Sequence, residues 1–387
     1  MDNTLRALLT MVKSALTGSA ERLEGTADLT AVAAMAARHQ VGGLVYDGAL
    51  RCGIDRQEPS MRSLFQTYCK SLLKSELQTE KLTELYQAFD EAEIDYLPLK
   101  GCIMKQMYPR PELRTMNDAD ILIRVEQYEK IKLVLETLGY RFLAESDCEL
   151  KWTTKGLYLE LHKRLIPSFI KDFYAYFGEG WHLAHCKDGS CYGLSPEDEF
   201  LFIFTHFARH YREGGVGIRH MADIWYYRYK TPQLDEARIM HVLKKMSLDT
   251  FYSNILLTLS NWFGSGEETE LTKKITEYVA NSGSFGTEES KELAGILRQS
   301  KGEGKKELVR QMLFPSLKNM RYAYPVLQKA PVLLPVMWVY RGVKVSLFHR
   351  DRIKAKERQL QNAGMQAIQE FEQNLRAVGL GMEFEEE

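Results

Sequence analysis

The stretch YLPLKGCIMKQMYPRPELRTMNDADILIR, residues 96–124, decides the fold of this chain. Two aspartates, Asp118 and Asp120, stand at the front of an apolar run where a buried strand would hold Val or Ile. Side chains two apart on a strand project from the same face, so both carboxylates point together while the intervening residues turn to the core. Like charges this close repel each other and resist burial unless a cation lies between them.

The paired aspartates match the ligand chemistry of a divalent-metal site. Mg²⁺ and Mn²⁺ take oxygen ligands, and two such ions about 4 Å apart stabilise both the attacking and the leaving oxygen of a nucleotidyl displacement. A third carboxylate follows in the strand-like stretch LYLELHKRL, where Glu160 lies on the face opposite the three leucines. We expect Glu160 either to bind metal or to take the proton of an attacking hydroxyl. The competing interpretation of the aspartate pair is a solvated turn.

A Lys-Gly turn before the aspartates suits a phosphate group. Gly101 closes one predicted strand and begins a short helix, whose N-terminus presents free backbone N–H groups. Lys100 and Arg114 are placed in sequence to neutralise a triphosphate, the arginine as a bidentate fork. The alternative for each of these two side chains is a surface ion pair.

Around this stretch the hydrophobic pattern is mostly helical, which predicts an α+β fold. Apolar residues recur at spacings of three and four through residues 1–90, whereas strands alternate with helices in residues 91–195. Residues 196–387 return to a helical pattern, and their Gly-, Ser-, Glu- and Lys-rich part at 264–306 predicts an exposed loop. We therefore predict a small core of strands and helices inserted between N-terminal and C-terminal helical regions.

Composition and charge exclude several classes of protein. The 387 residues carry a formal net charge of −1, which makes a long nucleic acid an unfavoured partner, and the basic cluster at 341–358 is interpreted as a solvated helix end. Six scattered cysteines do not make a secreted disulfide framework. The longest apolar stretch, residues 330–340, is far shorter than the roughly 20 residues of a membrane span. We expect a cytoplasmic protein.

Three further constellations carry weaker signals. His206 and His210 stand one helical turn apart, a metal-ligand spacing, but they are interpreted as histidines of the core or of an active-site rim. Arg219 and Asp223, at the same spacing, favour a helix ion pair over substrate contacts. Residues 182–191 hold two histidines and two cysteines, yet their spacing matches no standard zinc site and the Asp-Gly pair indicates a hairpin.

The motifs resemble a known family. The segments LPLKG, MYPRPELRTMNDADILI and LYLELHKRL are similar to those of an uncharacterised bacterial nucleotidyltransferase family in the DNA polymerase beta-like superfamily. That family reads as leucine-Lys-Gly, a Tyr-Pro segment, Arg-x-x-x-Asp-x-Asp, and an acidic residue two before a histidine. A looser similarity extends over residues 30–341.

The resemblance implies a small nucleotidyltransferase core, a mixed β-sheet flanked by helices, embedded between N-terminal and C-terminal helical domains. It also implies in-line attack of an acceptor hydroxyl on the α-phosphate of an NTP, with pyrophosphate leaving. It assigns Asp118, Asp120 and Glu160 to catalysis and to the binding of Mg²⁺ or Mn²⁺. We place six residues at the nucleotide, the last two on the condition that the helical segment closes over the cleft: Lys100, Gly101, Arg114, His162, His210 and Arg219.

One departure from the wider superfamily concerns the turn after the first strand. The superfamily has Gly-Ser there, whereas this chain has Lys100-Gly101 followed by Cys102, so the serine hydroxyl that would hold a phosphate is missing. The altered turn favours a second hypothesis, a non-catalytic relative that binds nucleotide or serves as a scaffold, while the intact carboxylates favour the enzyme. A third hypothesis is a toxin-like transferase that modifies tRNA or a protein, which a basic groove facing the carboxylates would favour.

Overall fold

The fold is a seven-stranded mixed β-sheet surrounded by helices. The computed structural model describes residues 1–23, 27–168, 170–284, 286–300, 326–348 and 365–381, with the single residues 314, 317, 320 and 324. Residues 349–358 of the basic cluster therefore lie outside the described residues. Within the described ranges, none of the helices combines the length and the apolar character that crossing a membrane requires.

Four helices form the N-terminal region: α1 (Asn3–Thr17), α2 (Leu29–Arg38), α3 (Gly42–Arg51) and α4 (Pro59–Glu91). Aspartates begin the first two helices, because Asp2 and Asp28 accept hydrogen bonds from backbone N–H groups of the first turn. Helix α4 has 33 residues and is therefore about 50 Å long. This length lets one helix contact both the sheet and the segment that leads into its central strand.

The sheet has the spatial order β3-β4-β5-β2-β1-β7-β6, with these strands: β1 (Tyr96–Leu99), β2 (Asp118–Ile123), β3 (Arg141–Glu145), β4 (Glu149–Thr154), β5 (Leu157–His162), β6 (His185–Asp188) and β7 (Cys191–Gly193). Strand β2 is antiparallel to β1 and parallel to β5. Strands β6 and β7 form the hairpin that the Asp-Gly pair predicts. Strand β4 was not predicted, although Leu150 and Trp152 alternate with polar residues as in a half-buried strand.

Helices fill the rest of the described chain: α5 (Gly101–Met107), α6 (Tyr128–Thr137), α7 (Lys171–Phe177), α8 (Pro196–Arg212), α9 (Ile218–Lys230), α10 (Glu236–Lys245), α11 (Asp249–Phe263), α12 (Glu270–Ser282), α13 (Glu288–Ser300), α14 (Val326–Lys329), α15 (Leu334–Phe348) and α16 (Met365–Ala377). Within 264–306, where we predicted an exposed loop, residues 264–269 are non-helical and mostly exposed, whereas α12 and α13 occupy most of the rest of the described segment. Each of these two helices buries an apolar stripe that its polar average composition hides, for example Ile275 and Val279 in α12.

Strand β2 divides its side chains between two hydrophobic cores. Ala119, Ile121 and Ile123 pack with α4 and α6 in the smaller core. Leu122 points the other way, into a larger core built with the N-terminal helices and α8 to α12. Because side chains alternate along a strand, Asp118 and Asp120 share the face of Leu122. The aspartates therefore face the helical part of the molecule, and this orientation positions the candidate site.

Candidate active site

A cleft of about 590 Å³ opens between the aspartate face of the sheet and helices α8 and α9. The sheet side contributes Asp118 and Asp120 with the Lys-Gly turn, and the helices contribute basic and acidic side chains: His206, Arg219, His220 and Asp223. The predicted residues Lys100, Gly101, Arg114 and Arg219 all line this cleft. The other predicted residues lie around it, Glu160 and His162 beside Asp120, and His210 against His206.

Asp120 is the most strongly held carboxylate of the site. It is 4% exposed, and its Oδ1 accepts hydrogen bonds from Lys100 Nζ at 2.7 Å and from His162 Nε2 at 2.8 Å. Burial alone would raise the pKa of this carboxyl, but the Lys100 ammonium and the His162 imidazole outweigh burial and hold the pKa well below its usual range. Asp120 is therefore negatively charged at neutral pH.

The Lys100 ammonium reaches Asp120 through an unusual backbone conformation. Lys100 has φ +43° and ψ −107°, a region that costs a non-glycine residue about 1–3 kcal/mol. The next residue is glycine, and a Cβ at this position would lie 2.9 Å from Arg114 Nη1 and 2.9 Å from Met116 Cγ, so a larger residue would force these side chains to shift. The Lys-Gly sequence therefore lets the turn lie close to Arg114 and to the aspartates at the base of the cleft.

Glu160 completes a group of potential metal ligands. It lies opposite Asp120 in the parallel register of β2 and β5, and ligand atoms of Asp120, Glu160 and His162 all lie within 4.8 Å of one another. Burial raises the pKa of the Glu160 carboxyl, while a hydrogen bond from Lys151 Nζ at 2.5 Å opposes that rise. Among the described residues this is the only such group, so the hairpin region at 182–191 holds none.

Asp118 stands outside this group but lines the cleft two residues earlier on the same face. Its side chain makes no hydrogen bond or ion pair within the described part of the chain, and the same holds for Asp120 Oδ2. These carboxylate oxygens, together with Glu160 and His162, form a donor set that suits a hard divalent cation. The residues present therefore fit a metal ion.

Arg114 and Asp223 form a buried ion pair across the cleft. Arg114 donates from Nε and Nη2 to the two carboxylate oxygens at 3.3 and 2.9 Å, and the Tyr108 hydroxyl donates to the same carboxylate at 2.8 Å. The expected helix ion pair between Arg219 and Asp223 is wrong, because Asp223 faces Arg114 from the opposite wall. Arg219 instead donates to the Thr115 carbonyl at 3.0 Å.

Arg219 and the histidines of α8 and α9 make the upper wall of the cleft. Burial, reinforced by Arg114, lowers the pKa of Arg219 to about 10, so this side chain stays charged at neutral pH. His206 and His210 approach within 3.0 Å through their Nε2 atoms. Burial and the nearby cations Arg209 and Lys100 lower the pKa of His210 to about 4, which keeps this imidazole neutral.

Two supporting residues of the site were not predicted from the sequence. Lys151 pairs with Glu160 from β4, a strand that was itself missed. Tyr108 holds Asp223 from the end of α5, and 115 residues separate the two in sequence. The polar and apolar alternation in ELKWTT was the available signal for Lys151, and the Tyr-Pro segment of the family motif was the signal for Tyr108.

Comparison with known proteins now identifies the family. The sequence model of a family described as uncharacterised nucleotidyltransferase matches residues 25–264, which is well over half of the chain. The chain belongs to this family. The match covers all the strands of the sheet and both helices of the cleft. The matched range therefore includes every element that positions the carboxylates.

Two solved structures resemble parts of this nucleotidyltransferase only weakly. A solution structure of the antibiotic-resistance factor ANT(2'')-Ia is 14% identical, with a TM-score of 0.34 over 47% of this chain and 96% of that chain. A crystal structure of ANT(2'')-Ia in complex with adenylyl-2''-tobramycin is 12% identical, with a TM-score of 0.25 over 48% of this chain and 97% of that chain. Similarities this low add nothing to the family assignment. No curated protein matches the chain significantly.

Proposed function

We propose that this member of the family is a divalent-metal-dependent enzyme that transfers an NMP group from an NTP to an acceptor hydroxyl. The observation that carries the proposal is the meeting of Asp120 and Glu160 from adjacent parallel strands, beside a cleft that Asp118 also lines. Three carboxylates on one face of a sheet cost stability, and a pair of bound cations gives a reason for that arrangement.

Asp118, Asp120 and Glu160 are the residues that would hold Mg²⁺ or Mn²⁺. When bound, such ions supply stabilisation of the negative charge that develops on the attacking and leaving oxygens. The protein contributes the fixed orientation of the ligands, since Lys100 and His162 hold Asp120 and Lys151 holds Glu160. Carboxylates fixed in this way need little reorganisation during the reaction.

The reaction itself is an in-line displacement at phosphorus. The acceptor oxygen forms a bond to the α-phosphorus while the bond from that phosphorus to the bridging oxygen breaks, and pyrophosphate leaves. Glu160 takes the proton of the acceptor hydroxyl through a carboxylate oxygen that does not bind metal. Lys100 and Arg219, which line the cleft from opposite walls, balance the charge of the triphosphate.

A second candidate function is nucleotide binding without transfer. The observation that favours it is that Asp120 Oδ1 and Glu160 are already paired with Lys100, His162 and Lys151. Carboxylates that are already paired with the protein's own side chains are stable without a metal ion. The free side chain of Asp118 favours the enzyme over this alternative.

The test is incubation of the protein with each labelled NTP and Mg²⁺ or Mn²⁺, with pyrophosphate release and self-labelling as readouts. We expect a signal that falls about a thousandfold in the double variant Asp118→Asn with Asp120→Asn. Asp95→Asn is the matched control, because Asp95 pairs with Arg124 outside the cleft. NTP binding without turnover on any acceptor supplied, or a double variant as active as the parent, would overturn the proposal.

A further inference from the structure

A second pocket of about 740 Å³ adjoins the cleft and carries an unusual charge distribution. It shares Arg114, Met116 and Asn117 with the cleft as a common wall, and α4, α5 and the segment 37–42 form its other sides. Lysines 70, 74 and 105 line it together with Arg114, and no carboxylate is among its described lining residues. We call it the lysine pocket.

Lys105 is the deepest cation of the lysine pocket. The residue is 4% exposed, and its Nζ donates to Gln78 Oε1 at 3.1 Å. Gln78 is held in turn, because its Nε2 donates to the Met116 carbonyl at 3.0 Å. An ammonium group has three N–H donors, so two of them have no partner within the described part of the chain.

The charge of Lys105 also lacks a counter-ion. No carboxylate forms an ion pair with it within the described ranges, and the neighbouring Arg114 and Lys74 add positive charge. Burial, with this repulsion, lowers the pKa of Lys105 to about 8. A buried charge without a counter-ion is costly, and a ligand that brings negative charge would remove the cost.

Lys74 connects the lysine pocket to the acidic floor of the cleft. Its Nζ donates to Asn117 Oδ1 at 3.4 Å, and Asn117 precedes Asp118 in the chain. Lys74 also lies near enough to Asp118 for the carboxylate to attract its ammonium group. A molecule seated in the lysine pocket would therefore extend directly toward the reacting groups.

We propose that the lysine pocket binds an oxyanion, of the phosphate type, carried by the acceptor that this enzyme modifies. The proposal rests on the proposed function, because only a transferase has an acceptor. The same chemistry is also present in the triphosphate of the NTP. We assign the pocket to the acceptor because Lys100 and Arg219 line the cleft, whereas Lys70 and Lys105 line only the lysine pocket.

The experiment measures binding of radiolabelled inorganic phosphate by equilibrium dialysis at constant ionic strength. One set of samples also contains Mg²⁺ and a saturating, non-hydrolysable NTP analogue. We expect phosphate to bind the full chain and to stay bound when the analogue is present. Displacement of phosphate by the analogue would assign the pocket to the triphosphate and overturn the proposal.

Variants locate the bound phosphate. Lys105→Met and Lys74→Ala should each weaken phosphate binding about tenfold, the effect of losing one charge-assisted hydrogen bond. Lys81→Ala is the control, because Lys81 lies on the same helix as Lys74 and pairs with Glu84 outside the pocket. Absence of phosphate binding, or equal binding by all three variants and the parent, would overturn the proposal.

Two features keep the result interpretable. Lys74 is an exposed side chain, so its replacement tests the pocket even if Lys105→Met prevents folding. Phosphate binding also needs no turnover. A protein that binds phosphate as expected but transfers no nucleotide refutes the proposed function, whereas an active transferase without phosphate binding refutes the pocket alone.

Discussion

The cleft and the lysine pocket share a wall but handle charge in opposite ways. In the cleft three cations face three aspartates: Lys100, Arg114 and Arg219 against Asp118, Asp120 and Asp223. In the lysine pocket the described lining residues include four cations and no acid. A balanced site can be stable with its own ion pairs, whereas an unbalanced one gains stability when an anion binds.

The contrast is sharpest at the two buried groups Asp120 and Lys105. Both residues are 4% exposed. Asp120 has the Lys100 ammonium and the His162 imidazole as partners, and they lower its carboxyl pKa in spite of burial. Lys105 has only an amide partner, so burial lowers its ammonium pKa to about 8. The partner, and not the depth of burial, decides whether the charged form is favoured.

The largest change in stability should come from breaking an ion pair of the charge-balanced cleft, at the wall that the cleft shares with the lysine pocket. Asp223→Asn leaves the Arg114 guanidinium buried without a counter-ion, so we expect the free energy of unfolding to fall by about 3 kcal/mol. Urea denaturation measures this value. The double variant with Arg114→Met should lose much less than the sum of the two single variants. Strict additivity would show that the pair does not stabilise the protein.

The next largest change in stability concerns the lysine pocket, and its size depends on pH. Lys105 has a pKa of about 8 in the folded protein against 10.5 when unperturbed. Between these values the unfolded chain binds more protons, so the free energy of unfolding of the parent should rise with pH relative to Lys105→Met. The rise is about 3 kcal/mol in total, is absent below about pH 8 and is complete near pH 10.5.

Denaturation curves of the parent and Lys105→Met, recorded from pH 7 to pH 10.5, check this prediction. The groups that perturb Lys105 electrostatically are Lys74, Glu76, Cys102 and Arg114. Lys81→Met is the control, because Lys81 is half-buried beside Glu84, which raises its ammonium pKa, so the difference should stay nearly constant below about pH 10. Parallel curves for the parent and Lys105→Met would mean that Lys105 carries no uncompensated charge.

The smallest change in stability tests the contact between the Lys-Gly turn and the wall that the cleft shares with the lysine pocket. Gly101→Ala introduces a Cβ within 3.0 Å of Arg114 and Met116 side-chain atoms, so we expect a loss of about 1–2 kcal/mol in thermal unfolding. Gly295→Ala is the matched control, since a Cβ there meets no atom within 4 Å and a helical alanine is favoured. Equal stability of both variants would show that the side chains of the wall shift to make room for the added Cβ without a loss of stability.

Local patterns in the sequence predicted the central part of the fold. The period-two alternation of residues 118–123 and 157–162 predicted β2 and β5, and it also placed Asp118, Asp120 and Glu160 on one face. The Lys-Gly turn lies in the cleft as expected. These predictions needed only the alternation of side chains along a strand, which is a local property of the chain.

Patterns of average composition were less reliable. The polar composition of 264–306 predicted an exposed loop, and residues 264–269 are mostly exposed and non-helical, but it gave no sign of the two helices that follow, because one apolar stripe is enough to pack a helix. The unpredicted strand β4 pairs with both β3 and β5, and its Lys151 reaches Glu160 across the sheet. Packing against the rest of the molecule decided the structure of these segments.

The sequence alone determined the family, the mixed sheet and the three carboxylates on one face, because strand periodicity and short motifs act over a few residues. Only the tertiary structure decided which charges are neutralised. Arg114 pairs with Asp223, which lies 109 residues away in the sequence. Lys105 donates to Gln78, 27 residues away, and no carboxylate forms an ion pair with Lys105 among the described residues. Electrostatic partners are chosen by distance in space, and the chain gives no local sign of them.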